Sequence, residues 1–464
     1  MEETLFTRRT FGRTPILTEQ VEITDDNIVE IVSKAAAIFA RNRSECEYLY
    51  QYYKGKQPII ARVKFERPEI MNVVVENRAY EIVTFKTGRF LYKDVQYTNR
   101  SEDNVAEVDA LNRAMYAEGK AGKDRLLVDW FHICGHSYRM VVDARKADGV
   151  PFHIYTIDPR RAFVVYADTV EQTPLVGVYV TTTLDDKNNK KITYTAYTKD
   201  TVYTIIDDEV VKKQGHILGD VPIVEYPANN ARLGCFEVVV SLLDAINTAQ
   251  SNRLDGVEQF IQALLVFKGL DIENEDLATL KREGAICLPR DTDMDYLTKE
   301  LNQSQVQTLV DDLYQAVLTI CGMPNRNGGT STSDTKGAVV LRDGWSSAAI
   351  ATRETKQYFE AAERRMLTMA LRVFNVWRDT QDGDRTPLTM SDLDIHFDEG
   401  EYENMLEKSQ VFTTLLNSGY VHPKDAFAFS NITNDPEAAY IAGKEYHEHQ
   451  AQEELDRVKD IDDV

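Results

Sequence analysis

No run in this 464-residue sequence approaches the roughly 18–20 consecutive apolar residues that a membrane-spanning helix needs. No basic-then-apolar leader opens it either, so the sequence reads as a protein made and used in a cytoplasm-like compartment, without a membrane partner. Cysteine is scarce. Cys46, Cys134, Cys235, Cys287 and Cys321 are odd in number, scattered and free of CxxC spacing. That argues against a disulfide framework or a thiolate zinc site and predicts buried, reduced thiols. Positive charge is short as well: 53 Lys and Arg stand against 75 Asp and Glu, a net charge of −22. This is the wrong sign for a protein that clamps nucleic acid through counterion release, and it excludes tight, sequence-specific DNA binding. A protein that lets DNA pass without holding it remains compatible with that charge.

Motifs that carry chemistry are also missing. There is no Gly-x-Ser-x-Gly elbow, kinase signature or dinucleotide fingerprint, and the Gly328-Gly329 loop lacks the Gly-Lys-Ser/Thr of a phosphate cradle. Asp291-Thr-Asp-Met-Asp295 resembles the start of a calcium loop, but Tyr296 and Asn302 stand where Gly and Glu are needed. His447-Glu-His449 has no third ligand in sight. His132-Ile-Cys-Gly-His136 has the i, i+4 spacing of a helical zinc pair, yet Ile133 replaces the metalloprotease Glu and Gly135 weakens the helix. The sequence therefore predicts no catalytic residue, no metal and no cofactor. A metal-dependent hydrolase built on His132 and His136 is the rival reading.

At 43% hydrophobic and 28% charged residues, what remains is an ordinary globular composition, and the length suggests about three domains of about 150 residues. Residues 1–23, with Arg8, Arg9 and Arg13, read as an extended arm. Thr24-Asp-Asp starts a helix on which Ile28, Ile31, Val32, Ala35, Ile38 and Phe39 recur at helical spacing, and Gly55 stops it. Further helices are expected over about 104–117 and 124–134. From Phe152 to Lys213 the period changes to two, which predicts an antiparallel meander.

Two amphipathic helices follow, 236–263 and 303–322, bracketing a small α/β insertion at 264–302. Next come a polar, Gly-rich loop at 323–336 and a long helix to about Arg378 that is net basic in an acidic protein. Its arginines are expected to serve salt bridges between subunits. From Glu401 helices are separated at Asn417-Ser-Gly-Tyr and at 431–436, and an acidic tail ends the chain. The fold class is α+β, mainly α.

Several stretches carry a resemblance. They are Tyr52-Tyr-Lys-Gly-Lys, Cys134-Gly-His-Ser-Tyr-Arg139, Ile157-Asp-Pro-Arg with Phe163-Val-Val-Tyr, and Gly219-Asp-Val-Pro-Ile-Val-Glu-Tyr with Asn229-Asn. Leu243-Asp-Ala-Ile-Asn-Thr-Ala-Gln-Ser and Asp435-Pro-Glu complete the set. In this order the chain, over about residues 25–445, resembles the portal proteins of tailed double-stranded-DNA bacteriophages, in the siphophage-type family. One departure is Thr335-Lys-Gly-Ala-Val-Val-Leu, where the family pattern has Ser-Gly-x-Ala-Leu-Lys.

The resemblance implies a non-enzymatic ring, usually of about twelve subunits, at one capsid vertex of the virion, assembled in the host cytoplasm. Double-stranded DNA would be packaged and ejected through it. It implies a wing at 24–235 and again in the long helix and return at 337–400. Stem helices would be 236–263 and 303–322, a clip 264–302, a tunnel loop 323–336 and a crown 401–464 with the acidic tail. Implied partners are the packaging terminase ATPase, head-completion or adaptor proteins, and the major capsid and scaffolding proteins, with transient contact to DNA. Asn325, Arg326, Asn327, Gly328, Gly329 and Lys336 are the candidates to face DNA. Leu242, Ile246, Leu309, Leu313 and Val317 are the candidates for contacts between stems. A non-portal helical virion scaffold or adaptor is the second rival.

Overall fold

A computed structural model describes residues 12–65, 67–100, 104–145, 150–184, 190–261, 264–268, 293–297, 303–325, 345–381, 386–396, 405–430, 432–433 and 436–462. The chain divides into two compact units, Met1–Lys54 with Ala79–Val238 and Cys321–Val464, and Gly55–Arg78 with Val239–Ile320. The order begins β1 (Ile16–Thr18), α1 (Ile28–Tyr53), α2 (Arg78–Phe90), β2 (Gln96–Asn99), α3 (Val105–Ala117) and α4 (Lys120–Cys134). Strands β3 (His136–Asp143), β4 (Phe152–Ile157), β5 (Ala162–Ala167), β6 (Pro174–Leu184), β7 (Lys190–Tyr197), β8 (Thr201–Ile206), β9 (Glu209–Gly215) and β10 (Ile223–Pro227) follow. The smaller unit holds α5 (Val240–Ile261), β11 (Leu264–Lys268), β12 (Asp293–Leu297) and α6 (Gln303–Ile320). The larger unit resumes with α7 (Trp345–Asp379), β13 (Leu393–His396), α8 (Met405–Asn417), α9 (Pro423–Ser430) and α10 (Pro436–Asp462). The fold is mixed, about half helical, rather than mainly helical.

In the larger unit the β-branched, period-two region forms a sheet of order β1-β5-β6-β7-β8-β9, antiparallel except for β1 against β5. The expected meander is present from β5 to β9. Its first expected strand, β4, instead joins β3 and β10 in a separate three-stranded sheet, because Phe152 and Ile154 are needed in the central core with Val141. Helix α1 covers one face of the larger sheet: Ile28, Ile31, Val32, Ala35 and Phe39 pack on Phe163, Val165, Val176, Val178 and Ile205. Each large aliphatic or aromatic side chain buried there contributes about 1.5–3 kcal/mol. Gly55, at φ 90°, ends the helical stretch where the spacing predicts. The central core gathers α2, α3, α4, the three-stranded sheet and α7 around Phe90, Phe131, Tyr226, Phe359 and Phe374.

The arm differs from its expectation. Ile16–Thr18 pairs as a strand, and Arg13, 2% exposed, donates to Glu237 at 2.5 Å and lies 3.0 Å from Glu45. A buried guanidinium needs carboxylate partners, and those anchor the arm. Residues 1–11 lie outside the described residues. The long helix also corrects its expectation. Arg364 pairs with Glu360, Arg365 with Asp220 at 2.6 Å, and Arg378 with Glu107 at 2.7 Å, while Arg372 donates to the Leu218 carbonyl. These four arginines hold their own chain together.

Candidate functional site

In the smaller unit a ribbon is fastened to α5 by polar side chains and backbone N–H groups, beside the buried Ile59 and Ile70. Residues 57–65 and 67–76 run along α5 as this ribbon, and Gln57, Arg62, Lys64, Asn72, Val74 and Glu76 bind the helix. Arg62 Nη2 and Lys64 Nζ lie 2.9 and 3.1 Å from Asp255 Oδ2, and the Asn72 backbone N–H donates to Asp255 Oδ1 at 2.7 Å. Val74 N–H donates to Ser251 Oγ at 3.0 Å, and Glu76 N–H to Asn247 Oδ1 at 2.8 Å. Asn247, Ser251 and Asp255, four residues apart, form one face of α5. All three are buried. Arg62, Lys64 and the Asn72 N–H hold the Asp255 carboxyl below its ordinary value, against the burial that works to raise it. The odd-numbered positions Val63, Phe65, Met71 and Val73 point away and are exposed, Phe65 at 93%. Leu254, expected on the buried apolar stripe, is 45% exposed while its neighbour Asp255 is 4% exposed.

On another side of α5, an open groove of about 780 Å³ runs between α5 and α6. Ala245, Ala249 and Gly256 line the α5 wall together with polar residues that include Asn252, which accepts from Arg62 of the ribbon at 2.6 Å, and Val306, Leu309 and Leu313 line the other. Small residues let a second backbone approach closely, and the leucines give it an apolar surface. Of the stem residues singled out in the sequence, Leu309 is 52% exposed, Leu313 lines the groove and Leu242 is half-buried. Ile246 and Val317 are each 0% exposed and already packed, so they offer no surface to a second copy. Asn325 is half-buried at the end of the described stretch after α6. Arg326, Asn327, Gly328, Gly329 and Lys336 lie outside the described residues. So does most of 264–302, of which the structure describes only the antiparallel pair β11 and β12.

The larger unit holds two buried polar networks that sequence reasoning missed. Arg139, 0% exposed on β3, pairs with Asp124 of α4 and, at 3.2 Å, with Glu363 of α7. Lys120 Nζ joins the same two carboxylates at 2.5 and 3.0 Å. Tyr97 and Tyr226 donate to Glu363 at 2.7 and 2.6 Å. Burial pushes both phenols well above their ordinary value, so they remain donors. Burial works to raise Glu363, but Lys120 and then Arg139 overcome it and take the carboxyl down to about 2. Two cations meet two anions, so the cluster is neutral and every formal charge has a partner. The only sequence signal was Arg139 at the end of a matching motif.

In the second network Cys46 Sγ lies 3.8 Å from His136 Nε2, and His136 Nδ1 lies 3.5 Å from Glu225, an ion-pair distance without a hydrogen bond. A hydrogen bond with Cys134 and then the imidazole hold the Cys46 thiol well below its ordinary value. Burial pushes Cys134 up. Arg232 pairs with Glu225 at 2.7 Å, and Tyr166 donates to it at 2.6 Å. The order Cys–His–Glu has the form of a nucleophilic triad, but Cys46 is 0% exposed and gives a substrate no approach.

The same strand start separates the two histidines. Helix α4 ends at Cys134, Gly135 turns at φ 81°, and His136 begins β3. His132 stays behind, its Nδ1 3.0 Å from Thr87 Oγ1, its ring against Phe90 and Phe131, and its basicity well lowered by burial. The i, i+4 spacing therefore never lies on one helix. Among the described residues no group of three His, Cys, Asp or Glu is placed to hold a metal ion, and no helix is long and apolar enough to cross a membrane.

Several of the motifs that carried the resemblance are joints in this structure, while Asp435 lies outside the described residues. In Ile157-Asp-Pro-Arg, Arg160 pairs with Asp158 and Glu47 at 2.6 Å each and stacks over Tyr50. Asp220 holds α7 through Arg365, Asn229 closes its turn on Leu233, and Asn247 and Ser251 hold the ribbon. No curated protein matches the sequence. Among solved structures, a chain from "Virion of native gene transfer agent (GTA) particle" is similar, at 12% identity and a TM-score of 0.40, covering 76% of this chain and 89% of that one. The family model described as "Phage portal protein, SPP1 Gp6-like" matches residues 33–462. With the match spanning nearly all of both units, this chain belongs to the SPP1 Gp6-like phage portal family.

Proposed function

We propose that this chain is the repeating subunit of a ring at one vertex of a phage-like head, through which double-stranded DNA enters during packaging and leaves on ejection. The observation that carries the reading is the family match over residues 33–462. Charge supports it: at a net −22, a channel built of many copies repels a polyanion, whereas neutralising several phosphates per contact would hold the duplex and stall it. In this reading 24–235 with 337–400 forms the wing, α5 and α6 form the stem, 264–302 forms the clip, and 401–464 forms the crown. The clip meets the packaging terminase ATPase and later the head-completion proteins. Asn325, Arg326, Asn327, Gly328, Gly329 and Lys336 belong to a tunnel loop that touches phosphates in passing.

Native mass measurement and negative-stain imaging of the purified protein test the reading. The expected result is a closed ring with an axial pore wide enough for a duplex. A strictly monomeric or dimeric species under every assembly condition, or a particle without a channel, refutes it.

A further inference from the structure

The cysteines are scattered in the sequence, yet the fold gathers the four described ones into two pairs. In each pair one thiol donates to the other residue's backbone carbonyl: Cys134 to Cys46 at 3.7 Å and Cys321 to Cys235 at 3.6 Å. All four are reduced. Their surroundings differ. Burial raises the Cys321 thiol to about 11 and the Cys235 thiol higher still. Sulfurs protonated that firmly are poor nucleophiles.

The first pair lies where α1 packs on α4. Cys46 Sγ faces His136 Nε2 at 3.8 Å, and His136 Nδ1 faces Glu225 at 3.5 Å. With the ring proton on Nδ1, toward that carboxylate, Nε2 can take the proton of the Cys46 thiol. Arg13 donates to the Cys134 carbonyl at 3.3 Å and brings a second positive charge to the site, held there by Glu237 and Glu45. The Cys134 thiol also donates to the Cys46 sulfur, so Cys46 ionises first and Cys134 keeps its proton. Two sulfurs in contact, one activated and one protonated, need only an oxidant to react with each other.

We propose that Cys46 and Cys134 are a redox site that hydrogen peroxide closes into a disulfide between α1 and α4. The Cys46 thiolate attacks one peroxide oxygen and breaks the O–O bond. This gives a sulfenic acid and hydroxide, which takes the proton from His136. The Cys134 sulfur then attacks the Cys46 sulfur and breaks its S–O bond, and the departing hydroxide leaves as water with the Cys134 proton. Two thiols and one peroxide give one disulfide and two waters, and the protein loses two electrons. Burial sets the size of the oxidant. Both residues are 0% exposed, so peroxide, uncharged and little larger than water, reaches them through a local opening, whereas glutathione disulfide does not. The new bond joins residues 88 apart and fastens the helix that covers the larger sheet to one that enters the central core. This chemistry goes beyond the ring reading and does not depend on it.

Peptide mass spectrometry of the unmodified full chain tests it. The native protein is treated with hydrogen peroxide, its remaining thiols are blocked with iodoacetamide in denaturant, and it is digested. The expected product is a single bridge, Cys46 to Cys134, with Cys235 and Cys321 both alkylated. Glutathione disulfide in place of peroxide is expected to leave Cys46 unmodified. In Cys134→Ser the reaction stops one step earlier, and dimedone, which captures sulfenic acids, is expected to label Cys46. His136→Asn, with an unchanged circular dichroism spectrum, is expected to slow bridge formation about tenfold or more. A Cys235–Cys321 bridge that forms as fast as the first overturns the assignment, as does glutathione attached to Cys46. So does a His136→Asn variant that closes at the normal rate, or a native protein with no bridge at peroxide concentrations that oxidise the exposed Met71. The two pairs compete within one unmodified chain, so the comparison decides even where a variant does not fold.

Discussion

Replacing Glu363 by Gln tests whether the buried charge cluster of the larger unit is a structural keystone. Glu363 is 0% exposed and accepts from Tyr97, Tyr226, Arg139 and Lys120. The amide keeps the volume and removes the charge, leaving Arg139 and Lys120 with Asp124 as their only anion. Breaking a buried pair in this way costs about 3–5 kcal/mol, because the remaining charge stays desolvated. Glu360, one turn earlier on α7, pairs with Arg364 at the surface, and its loss costs about 0.3–0.5 kcal/mol.

The expected result is a fall in melting temperature of about 4–7 °C for Glu363→Gln and of about 0.5 °C for Glu360→Gln. Adding Lys120→Met to Glu363→Gln restores neutrality and is expected to recover part of the loss. The pH dependence has a definite sign. A carboxyl depressed from 4.5 to about 2 contributes stability that is full above 4.5 and is lost as pH falls from there through 2. The gap between the unmodified protein and Glu363→Gln should therefore narrow across that window. A loss equal to that of Glu360→Gln, or a gap that does not change down to pH 2, would refute the assignment.

Three other outcomes are expected. Asp255→Asn removes the anion shared by Arg62 and Lys64, a loss of about 2–3 kcal/mol of charge-assisted bonding, so trypsin cleavage after Arg62 or Lys64 should accelerate roughly 30- to 150-fold. His132, neutral in its apolar site, should show no imidazole protonation by NMR through pH 6.5 in the folded protein. Its contribution to stability should fall as pH drops below 6.5, where the unfolded chain takes up the proton first, and His132→Phe should remove that slope. Gly135→Ala places a Cβ 1.9 Å from the Arg232 carbonyl oxygen at φ 81°, so the variant should recover in the soluble fraction at a small share of the normal yield.

Periodicity and punctuation were the legible part of this chain. The α1 stripe, the Gly55 stop, the strands β5 to β8, the two helices bracketing residues 264–302 and the breaks after Asn417 and Ser430 are local patterns, and local patterns survive folding. Helix α2 carries the same kind of signal, with Ala79, Ile82, Val83 and Phe90 on one helical face, but the sequence reading passed over it. The departure of β4 to a second sheet was not legible, since strand pattern names a strand but not its partner.

The order of motifs was enough for the sequence by itself to determine the family, the shortage of cationic charge and the lack of nucleotide or catalytic motifs. Tertiary structure alone decided where charge and apolar surface were placed. Arg139, Asp124 and Glu363 meet from three elements up to 239 residues apart, and no spacing rule reaches that far. The facing of residues 62–65 is of the same kind: Arg62 and Lys64 turn to Asp255, 193 and 191 residues further along, and leave Val63 and Phe65 exposed. A carboxylate buried on a helix attracts its cations more strongly than water does, and that turns the hydrophobic side of the ribbon outward.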